Sequence, residues 1–377
     1  MFLTIRRTVL VCSLLWAVYP AMGEESEKHL LYVAVPGVRN YTEYGGEGIL
    51  VFDIDHEHRF VKRIPTHERP AGTDIEAIKG ICANAITKRL YYSTTARLVC
   101  IDLVSEKILW NKTYDSGCDR MSITADGTRI YLPSGDWTKT DYWYVIDGSS
   151  GEVVTRVQHH DGTHNTVCGL DGKRAYLASL HSNELEVVDT KTNEVIRRIG
   201  PFGNVIRPFT VNGRQSLCFA TVNDLLGFEV ADLANGKVLH RVEVKDFQKG
   251  PTKRHGCPSH GVGLTPDEKE VWVTDPANVR MHVYDATKMP PEYIESIKLS
   301  DEPGWITFSI DGRFAYPSTC DVIDVKSRKV LTHLKDEHGQ PIQSEKLLEI
   351  DFKDGRPIRA GDQFGLGRKN VGSQPSE

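Results

Sequence analysis

The sequence lacks a long apolar segment after residue 23, a CxxC motif, a GxSxG element and a phosphate-binding glycine loop. These absences argue against a transmembrane helix in the mature chain, a structural zinc site, a hydrolase nucleophile elbow and a P-loop. A basic surplus is also lacking: the net charge is -5, so we expect no electrostatic binding to nucleic acid. Low-complexity tracts are absent, and 40% apolar and 26% charged residues are typical of a folded globular chain.

Residues 1–23 have the composition of a secretory signal peptide. Arg6 and Arg7 precede an uncharged run that ends near Ala21, followed by small residues up to Gly23. The run is too short for a comfortable membrane span, so we expect cleavage after Gly23 and a secreted or periplasmic protein. An uncleaved anchor is the alternative. Cleavage removes two positive charges and no negative ones, which changes the formal charge to -7.

The cysteines do not suggest a disulfide framework. One of the eight lies in the predicted signal peptide, and the remaining odd number cannot pair completely. Several stand inside apolar strand runs, where a cysteine behaves as a small buried apolar residue. One disulfide remains open in an exported protein. The seven cysteines of the predicted mature chain are Cys82, Cys100, Cys118, Cys168, Cys218, Cys257 and Cys320.

An internal repeat predicts the fold. A short β-branched strand ending in aspartate recurs seven times at intervals of 39 to 53 residues, which is the period of β-propeller blades. An aspartate side chain at such a strand end can bond the backbone two residues on and start a hairpin turn. The seven aspartates are Asp53, Asp102, Asp147, Asp189, Asp232, Asp285 and Asp324.

A second repeat supplies the other strands of each unit. Asp-Gly or Asn-Gly pairs, as at Asp126 and Asp311, separate two apolar strands and predict tight turns. We therefore predict an all-β chain over 24–352, a seven-bladed β-propeller of four-stranded antiparallel blades. Its ring closes when the C-terminal run 346–352 pairs with the N-terminal strand that begins near Lys28. Residues 353–377 are polar and glycine-rich, and we expect them to form a surface tail.

These repeats resemble the YVTN-type β-propeller repeats. The shared motif is a strand, Asp-Gly, tyrosine, then Val-Ile-Asp and Gly-Lys-Val, and it covers nearly the whole mature chain. The resemblance implies membership in the broad quinoprotein-dehydrogenase-like and WD40-like propeller group, many of whose members are exported. It does not assign an activity. No residue pattern in this sequence indicates a binding site for a pyrroloquinoline cofactor.

Candidate site residues come from the segments that enter the inner strands, because these converge on one axis. Counting back from the Asp-Gly turns gives a polar ring that indicates a wet pocket for an anionic or sugar-like ligand. The alternative is that these side chains only solvate the channel mouth and cap strand ends. The ligand-binding candidates are Lys79, Asp119, Arg120, His164, Arg207, His260 and Trp305.

Two entry loops are rich in histidine, over 159–164 and 255–260. Neutral imidazole is the commonest metal ligand, so a divalent metal with His160, His164, His255 and His260 as candidate ligands is one reading. We expect His164 and His260 to face each other, and Cys257 is a weaker candidate. Surface histidines with capping roles are the other reading.

The sequence thus predicts a monomeric exported binding module with a polar axial pocket. Its ligand would be a small molecule, a sugar-like compound or a protein. The alternative is a metal-assisted lyase or hydrolase that uses the entry-loop histidines. A cell-surface scaffold is a third reading.

Overall fold

The structure is a computed structural model, and it describes residues 27–69, 72–135, 142–159 and 162–369. Within this part of the chain, seven antiparallel sheets form the blades of a propeller, which confirms the predicted fold. The first three strands are β1 (Lys28–Val35), β2 (Gly48–Asp53) and β3 (Arg59–Ile64), with short 3-10 turns at Thr42–Tyr44 and Ile54–His56.

The second, third and fourth blades each contain four consecutive strands. The second blade consists of β4 (Ile78–Asn84), β5 (Arg89–Thr94), β6 (Arg97–Asp102) and β7 (Ile108–Thr113). The third consists of β8 (Ser122–Ile123), β9 (Arg129–Pro133), β10 (Tyr142–Asp147) and β11 (Val153–Gln158). The fourth consists of β12 (Thr163–Cys168), β13 (Arg174–Ser179), β14 (Leu185–Asp189) and β15 (Glu194–Ile199).

The fifth, sixth and seventh blades repeat this order. The fifth consists of β16 (Ile206–Val211), β17 (Leu217–Val222), β18 (Gly227–Asp232) and β19 (Lys237–Glu243). The sixth consists of β20 (Val262–Leu264), β21 (Glu270–Asp275), β22 (Arg280–Asp285) and β23 (Glu292–Lys298). The seventh consists of β24 (Ile306–Phe308), β25 (Phe314–Pro317), β26 (Asp321–Asp324) and β27 (Lys329–His333).

The first blade closes the ring as predicted. Its inner strand is β28 (Leu347–Lys353), which pairs with β1 so that Leu347 lies opposite Val33. The inner strands of successive blades contact one another in the order β28, β4, β8, β12, β16, β20, β24 and back to β28. The C-terminal segment therefore fixes the N-terminal strand in place and joins the first blade to the seventh.

Burial explains why the strands of a blade differ in composition. The third strands, such as β6, are buried along their length between neighbouring blades, and they consist of β-branched and other apolar residues. Outer strands such as β7 are mostly exposed and mix polar with apolar residues. The core therefore lies between adjacent blades.

The repeated aspartates start the outer hairpins, as predicted. Asp102 Oδ1 accepts the backbone N–H of Val104 at 3.1 Å, and Asp232 Oδ1 accepts that of Ala234 at 2.7 Å. The Asp-Gly turns also form, with Gly127 at φ 72° and Gly312 at φ 74°. The fifth blade differs, because its positive φ falls on Gln215 (φ 53°).

The predicted surface tail is wrong for residues 356–368. A further strand, β29 (Arg356–Ala360), pairs with β28 and adds a fifth strand to the first blade. After it, Phe364 and Leu366 are each only 3% exposed, in a core with residues of the fourth and fifth blades. The surface tail was predicted from the polar, glycine-rich composition of the segment. That prediction did not consider that the inner strands can form hydrogen bonds with the backbone of the segment. Residues 370–377 lie outside the described part of the chain.

Segment 361–368 crosses the axial channel. Its backbone and side chains bond residues within or directly before the inner strands of six blades, so no single blade holds it. The bonds are Gly361 N–H to the Glu349 carbonyl, Ile81 N–H to Gln363 Oε1, Gln363 Nε2 to the Met121 carbonyl, Thr210 Oγ1 to the Gly365 carbonyl, Leu264 N–H to the Gly365 carbonyl, and Thr307 Oγ1 to the Asp362 carbonyl. We call residues 361–368 the axial plug.

No helix in the described residues is long and apolar enough to cross a membrane. The seven cysteines of the predicted mature chain are all buried and free, so none of them forms the disulfide that the sequence left open.

Candidate functional site

The starts of the inner strands lie together at one end of the channel, because the chain enters the second to seventh blades at their inner strands and returns to the first blade through β28. A parallel bridge between Arg120 and Asn165 joins two of these starts directly. We call this end the axial mouth. The residues that form it are Lys79, Asp119, Arg120, His164, Asn165, Arg207, His255, His260, Trp305, Glu345 and Lys346.

Asp119 and His164 form a buried pair at the mouth. His164 Nδ1 lies 2.5 Å from Asp119 Oδ2, and Asp119 has no exposed surface. Burial alone would raise the pKa of the Asp119 carboxyl, but the neighbouring His164 and Lys79 outweigh it and hold that pKa well below its ordinary value. Lys79 Nζ is 3.4 Å from Asp119 Oδ1. The carboxylate orients the imidazole, so His164 presents its Nε2 atom away from Asp119.

Arg120 connects this pair with the other side of the mouth. Its Nη1 donates to Asn165 Oδ1 at 3.3 Å, and its Nη2 donates to Glu345 Oε2 at 2.8 Å. The guanidinium also lies over the Trp305 ring, 3.8 Å from the ring centroid. Trp305 is thereby covered by a cation, which leaves it poorly placed to stack on a sugar ring.

Glu345 and Lys346, which the sequence analysis did not single out, lie at the centre of the site. Lys346 Nζ donates to Glu345 Oε2 at 2.6 Å and to the Gly37 carbonyl at 3.1 Å. Burial would raise the pKa of the Glu345 carboxyl, but Lys346 and Arg120 lower it well below the ordinary range. Burial lowers the pKa of Lys346 to about 7. Glu345 is therefore a charged buried carboxylate held by the guanidinium of Arg120 and the amine of Lys346.

His255 and His260 approach the free oxygen of Glu345. His255 Nδ1 lies 3.6 Å from Glu345 Oε1, and the centroids of the two imidazole rings are 4.6 Å apart. One ligand atom from each of His255, His260 and Glu345 lies within 4.8 Å of the others. Burial lowers the pKa of both histidines, which favours their neutral forms. We call these three residues the His-His-Glu cluster.

The loop that carries His255 is held from behind. Glu302 accepts the backbone N–H groups of Lys253 at 2.7 Å and Arg254 at 2.9 Å. Arg254 is anchored in turn by Asp301 and Gln343. These bonds fix the loop between the fifth and sixth blades against the segments that precede β24 and β28.

The remaining predicted residues have distinct surroundings. Arg207 Nε donates to Asn223 Oδ1 at 2.7 Å, and its Nη2 lies near Gly256 in the His255 loop. Cys257 is buried, and burial raises the pKa of its thiol to about 12, which disfavours the thiolate that binds metals. His160 lies outside the described residues. His164 is bonded to Asp119 and is not part of the His-His-Glu cluster, so its expected partnership with His260 around one ion stays a prediction.

The axial plug forms the floor of the mouth. Trp305 Nε1 donates to the carbonyl of Gln363, and the Trp305 ring packs edge-on against Phe364 with centroids 6.1 Å apart. Arg120 covers the ring of the same tryptophan, so the charged layer of the mouth sits directly on the plug. The plug therefore fills the channel directly below the mouth.

Glu345 and Lys346 could have been found from the sequence. Glu345 directly precedes the run 346–352 that was predicted as the closing inner strand, and Lys346 begins it, so both occupy the seventh entry segment. The predicted ring included six entry segments and omitted this one, and counting back seven residues from Asp354 gives Leu347, the residue after Lys346. In the structure, Asp354 and Gly355 turn the chain into β29 and not into the second strand of a blade.

A cavity of about 210 Å³ lies beside the first and second blades and is lined by Lys28, Tyr32, Lys62, Glu106 and Phe352 among others. Its lining contains no histidine or cysteine and no convergent set of buried charges. The axial mouth is therefore the stronger candidate for ligand chemistry.

Comparisons with known proteins do not indicate a function for this fold. No family model and no curated protein sequence match this chain. Among solved structures, the hydrazine synthase of Kuenenia stuttgartiensis is similar at 14% sequence identity with a TM-score of 0.44, covering 70% of this chain and 97% of that one. A likeness at this level supports no statement about activity.

Proposed function

We propose that this protein is a binding module whose axial mouth holds a small organic anion, with a carboxylate as the recognised group. The observation that carries the proposal is the excess of cations at the mouth of an acidic chain. Lys79, Arg120 and Lys346 lie against the carboxylates of Asp119 and Glu345, and Arg207, which is bonded to Asn223, adds a further basic side chain to the mouth.

The surroundings of these cations favour a ligand over mere solvation. Arg120 and Lys346 are almost completely buried, at 3% exposure each, and Arg120 Nε has no hydrogen-bond partner. A buried donor without a partner costs free energy that an anion can recover. Arginine also binds carboxylates with two parallel hydrogen bonds, which gives geometric selectivity.

Thermal unfolding in the presence of single anions tests this proposal. We expect a carboxylate, titrated from micromolar to millimolar concentration at low ionic strength, to raise Tm in a saturable way. Arg207→Gln should abolish most of that shift, while the matched control Arg59→Gln, on the exposed outer strand β3, should retain it. Equal shifts in both variants, or no saturable shift with mono- and dicarboxylates, would refute the proposal.

Catalysis at the same mouth is the second candidate function. The observation that favours it is the Asp119–His164 pair, since an imidazole oriented by a buried carboxylate can act as a general base. Turnover of the bound anion that is lost in His164→Gln, with the binding constant unchanged, would support a lyase or hydrolase. Unchanged turnover in that variant would remove His164 from the mechanism.

Export and membership in the YVTN-type repeat group complete the proposal. Both are supported by sequence features alone, the composition of residues 1–23 and the repeated strand-turn motif. N-terminal sequencing of protein recovered outside the cytoplasm should begin near Glu24, and an intact Met1 on that protein would contradict the predicted cleavage.

A further inference from the structure

We propose that His255, His260 and Glu345 bind one divalent transition-metal ion, with Zn²⁺ as the best fit to the ligand set. Two imidazoles and one carboxylate form a known three-residue set for zinc sites that keep a position open. The inference deepens the proposed function and rests on it in one respect. The open coordination position of the ion would bind the carboxylate of the anion that the proposed function assigns to the mouth. Among the described residues, this is the group of three that meets metal-ligand spacing.

The separation of the ligand atoms fits an ion between them. His255 Nδ1 and Glu345 Oε1 are 3.6 Å apart, which is too long for a normal hydrogen bond. Zinc bonds of about 2.1 Å at a tetrahedral angle place two ligand atoms about 3.4 Å apart. The two atoms are therefore already spaced as ligands of one ion.

His260 is oriented for coordination. Its Nδ1 donates to the carbonyl oxygen of Gly304 at 2.7 Å, so that nitrogen carries the proton. The Nε2 atom is left with its lone pair, which is the arrangement in which a backbone carbonyl fixes the tautomer of a metal-binding histidine. His260 is half-buried, whereas His255 and Glu345 are buried.

Gly304 makes space for His255. A Cβ atom at position 304 would lie 2.0 Å from His255 Cε1 and 2.8 Å from Glu345 Oε1, so any other residue would displace the cluster. The same glycine supplies the carbonyl that orients His260. Gly304, which precedes β24, thus positions all three proposed ligands.

The two oxygens of Glu345 have separate partners. Arg120 and Lys346 both donate to Oε2, which leaves Oε1 directed to the histidines. A divalent ion added beside two cations raises the positive charge of the mouth, and this favours an anion as its fourth ligand. Metal and anion should therefore bind more tightly together than either does alone.

Cobalt titration of the untagged mature protein tests the site, because four-coordinate Co²⁺ absorbs visibly with an intensity that octahedral aqueous Co²⁺ lacks. We expect one equivalent of Co²⁺ to bind, to give this spectrum, and to be displaced by Zn²⁺. His260→Ala should weaken binding by at least about 100-fold, since even the loss of a partner behind a ligand costs about 10- to 100-fold. Glu345→Gln is a second variant, and His56→Ala, on the exposed turn after β2, is the matched control.

The outcomes separate this inference from the proposed function. Less than 0.1 equivalent of retained metal by elemental analysis of zinc-loaded, desalted protein, or equal binding by His260→Ala and His56→Ala that are both folded, overturns the metal site. A saturable carboxylate shift in that metal-free protein would leave the anion proposal standing. Stoichiometric cobalt with no carboxylate effect on its spectrum or affinity supports the metal site and counts against the anion.

Discussion

Glu345 and Glu349 lie four residues apart on the closing segment, and the structure treats their carboxyl groups in opposite ways. Glu345, at the mouth, is held by Arg120 and Lys346, and its pKa is well below the ordinary value. Glu349, deeper on β28, is 2% exposed beside Asp351, and burial together with that carboxylate raises its pKa to about 9. The mouth keeps its carboxylate charged, whereas the buried position of Glu349 beside the backbone of Ile310 favours a neutral carboxyl group.

The same contrast holds for the surroundings of these residues. Below the mouth, the axial plug fills the channel with Phe364, Leu366 and backbone that bonds the inner strands. At the mouth, charged side chains from different blades meet with few apolar neighbours besides Trp305. The chain thus uses its own C-terminal residues to fill the channel, and it groups Lys79, Arg120 and Lys346 with Asp119 and Glu345 at the mouth.

The largest expected effect tests whether the plug is structural. Phe364→Ala should destabilise the protein by about 3–5 kcal/mol, because it removes a buried aromatic ring and leaves a cavity under Trp305. Denaturant unfolding measures this change. Ile358→Ala, at an exposed position of β29, is the control and should cost well under 1 kcal/mol. Equal effects of the two changes would show that the plug does not pack as described.

The next effect concerns the buried ion pairs of the mouth. Arg120→Met should cost about 3 kcal/mol, since it removes one of the two partners of buried Glu345 and uncovers the Trp305 ring. Lys112→Met breaks an exposed pair with Glu152 and should cost less than about 1 kcal/mol. Chemical denaturation of both variants measures the loss in the free energy of unfolding that each change causes. A loss for Arg120→Met as small as that for Lys112→Met would mean that water already solvates the mouth in the folded protein.

The pH dependence of stability sharpens the comparison of the two glutamates. The folded state holds a proton on Glu349 that the unfolded chain releases above its ordinary pKa near 4.5. Its contribution is therefore full below that pKa and is lost as the pH rises toward about 9. Glu349→Gln should flatten the decline of the free energy of unfolding between pH 5 and pH 9. Glu194→Gln, an exposed control, should follow the wild type, and so would Glu349→Gln if Glu349 were charged in the folded state.

The smallest expected effect tests whether the repeated aspartates contribute only to the outer hairpins and not to ligand binding at the mouth. Asp232→Ala should cost about 1 kcal/mol, the contribution of a turn hydrogen bond, and Asp189→Ala should cost a similar amount because its turn has the same bonds. Neither change should alter carboxylate binding. A loss of binding in either variant would link the outer hairpins to the mouth, which the described contacts do not.

The sequence predicted the parts of the fold that repeat. Seven strand-ending aspartates and the Asp-Gly turns identify the blades, because each blade needs the same hairpins. The ring closure followed from the apolar run before Lys353. The plug could not be predicted in this way, since a single polar, glycine-rich segment has no repeat and its bonds come from distant strands.

The sequence predicted where the candidate site lies better than it predicted which residues form it. Counting back from the turns selected Arg120, His164 and His260, which the structure brings to one mouth. The count gives position along a strand but not side-chain pairing, so it could not show that His164 bonds Asp119 while His260 approaches Glu345. Entry residues differ from blade to blade, and this asymmetry is what a functional site on a repeated scaffold requires.

Isothermal titration of the carboxylate that gives the largest thermal shift tests the central claim most directly. The account predicts one site per chain, an affinity that falls as salt is added, and a loss of at least about tenfold in Lys79→Met and in Arg207→Gln, while Arg59→Gln binds as the wild type does. Binding of equal strength in all four proteins would show that the anion sits elsewhere and would contradict the account.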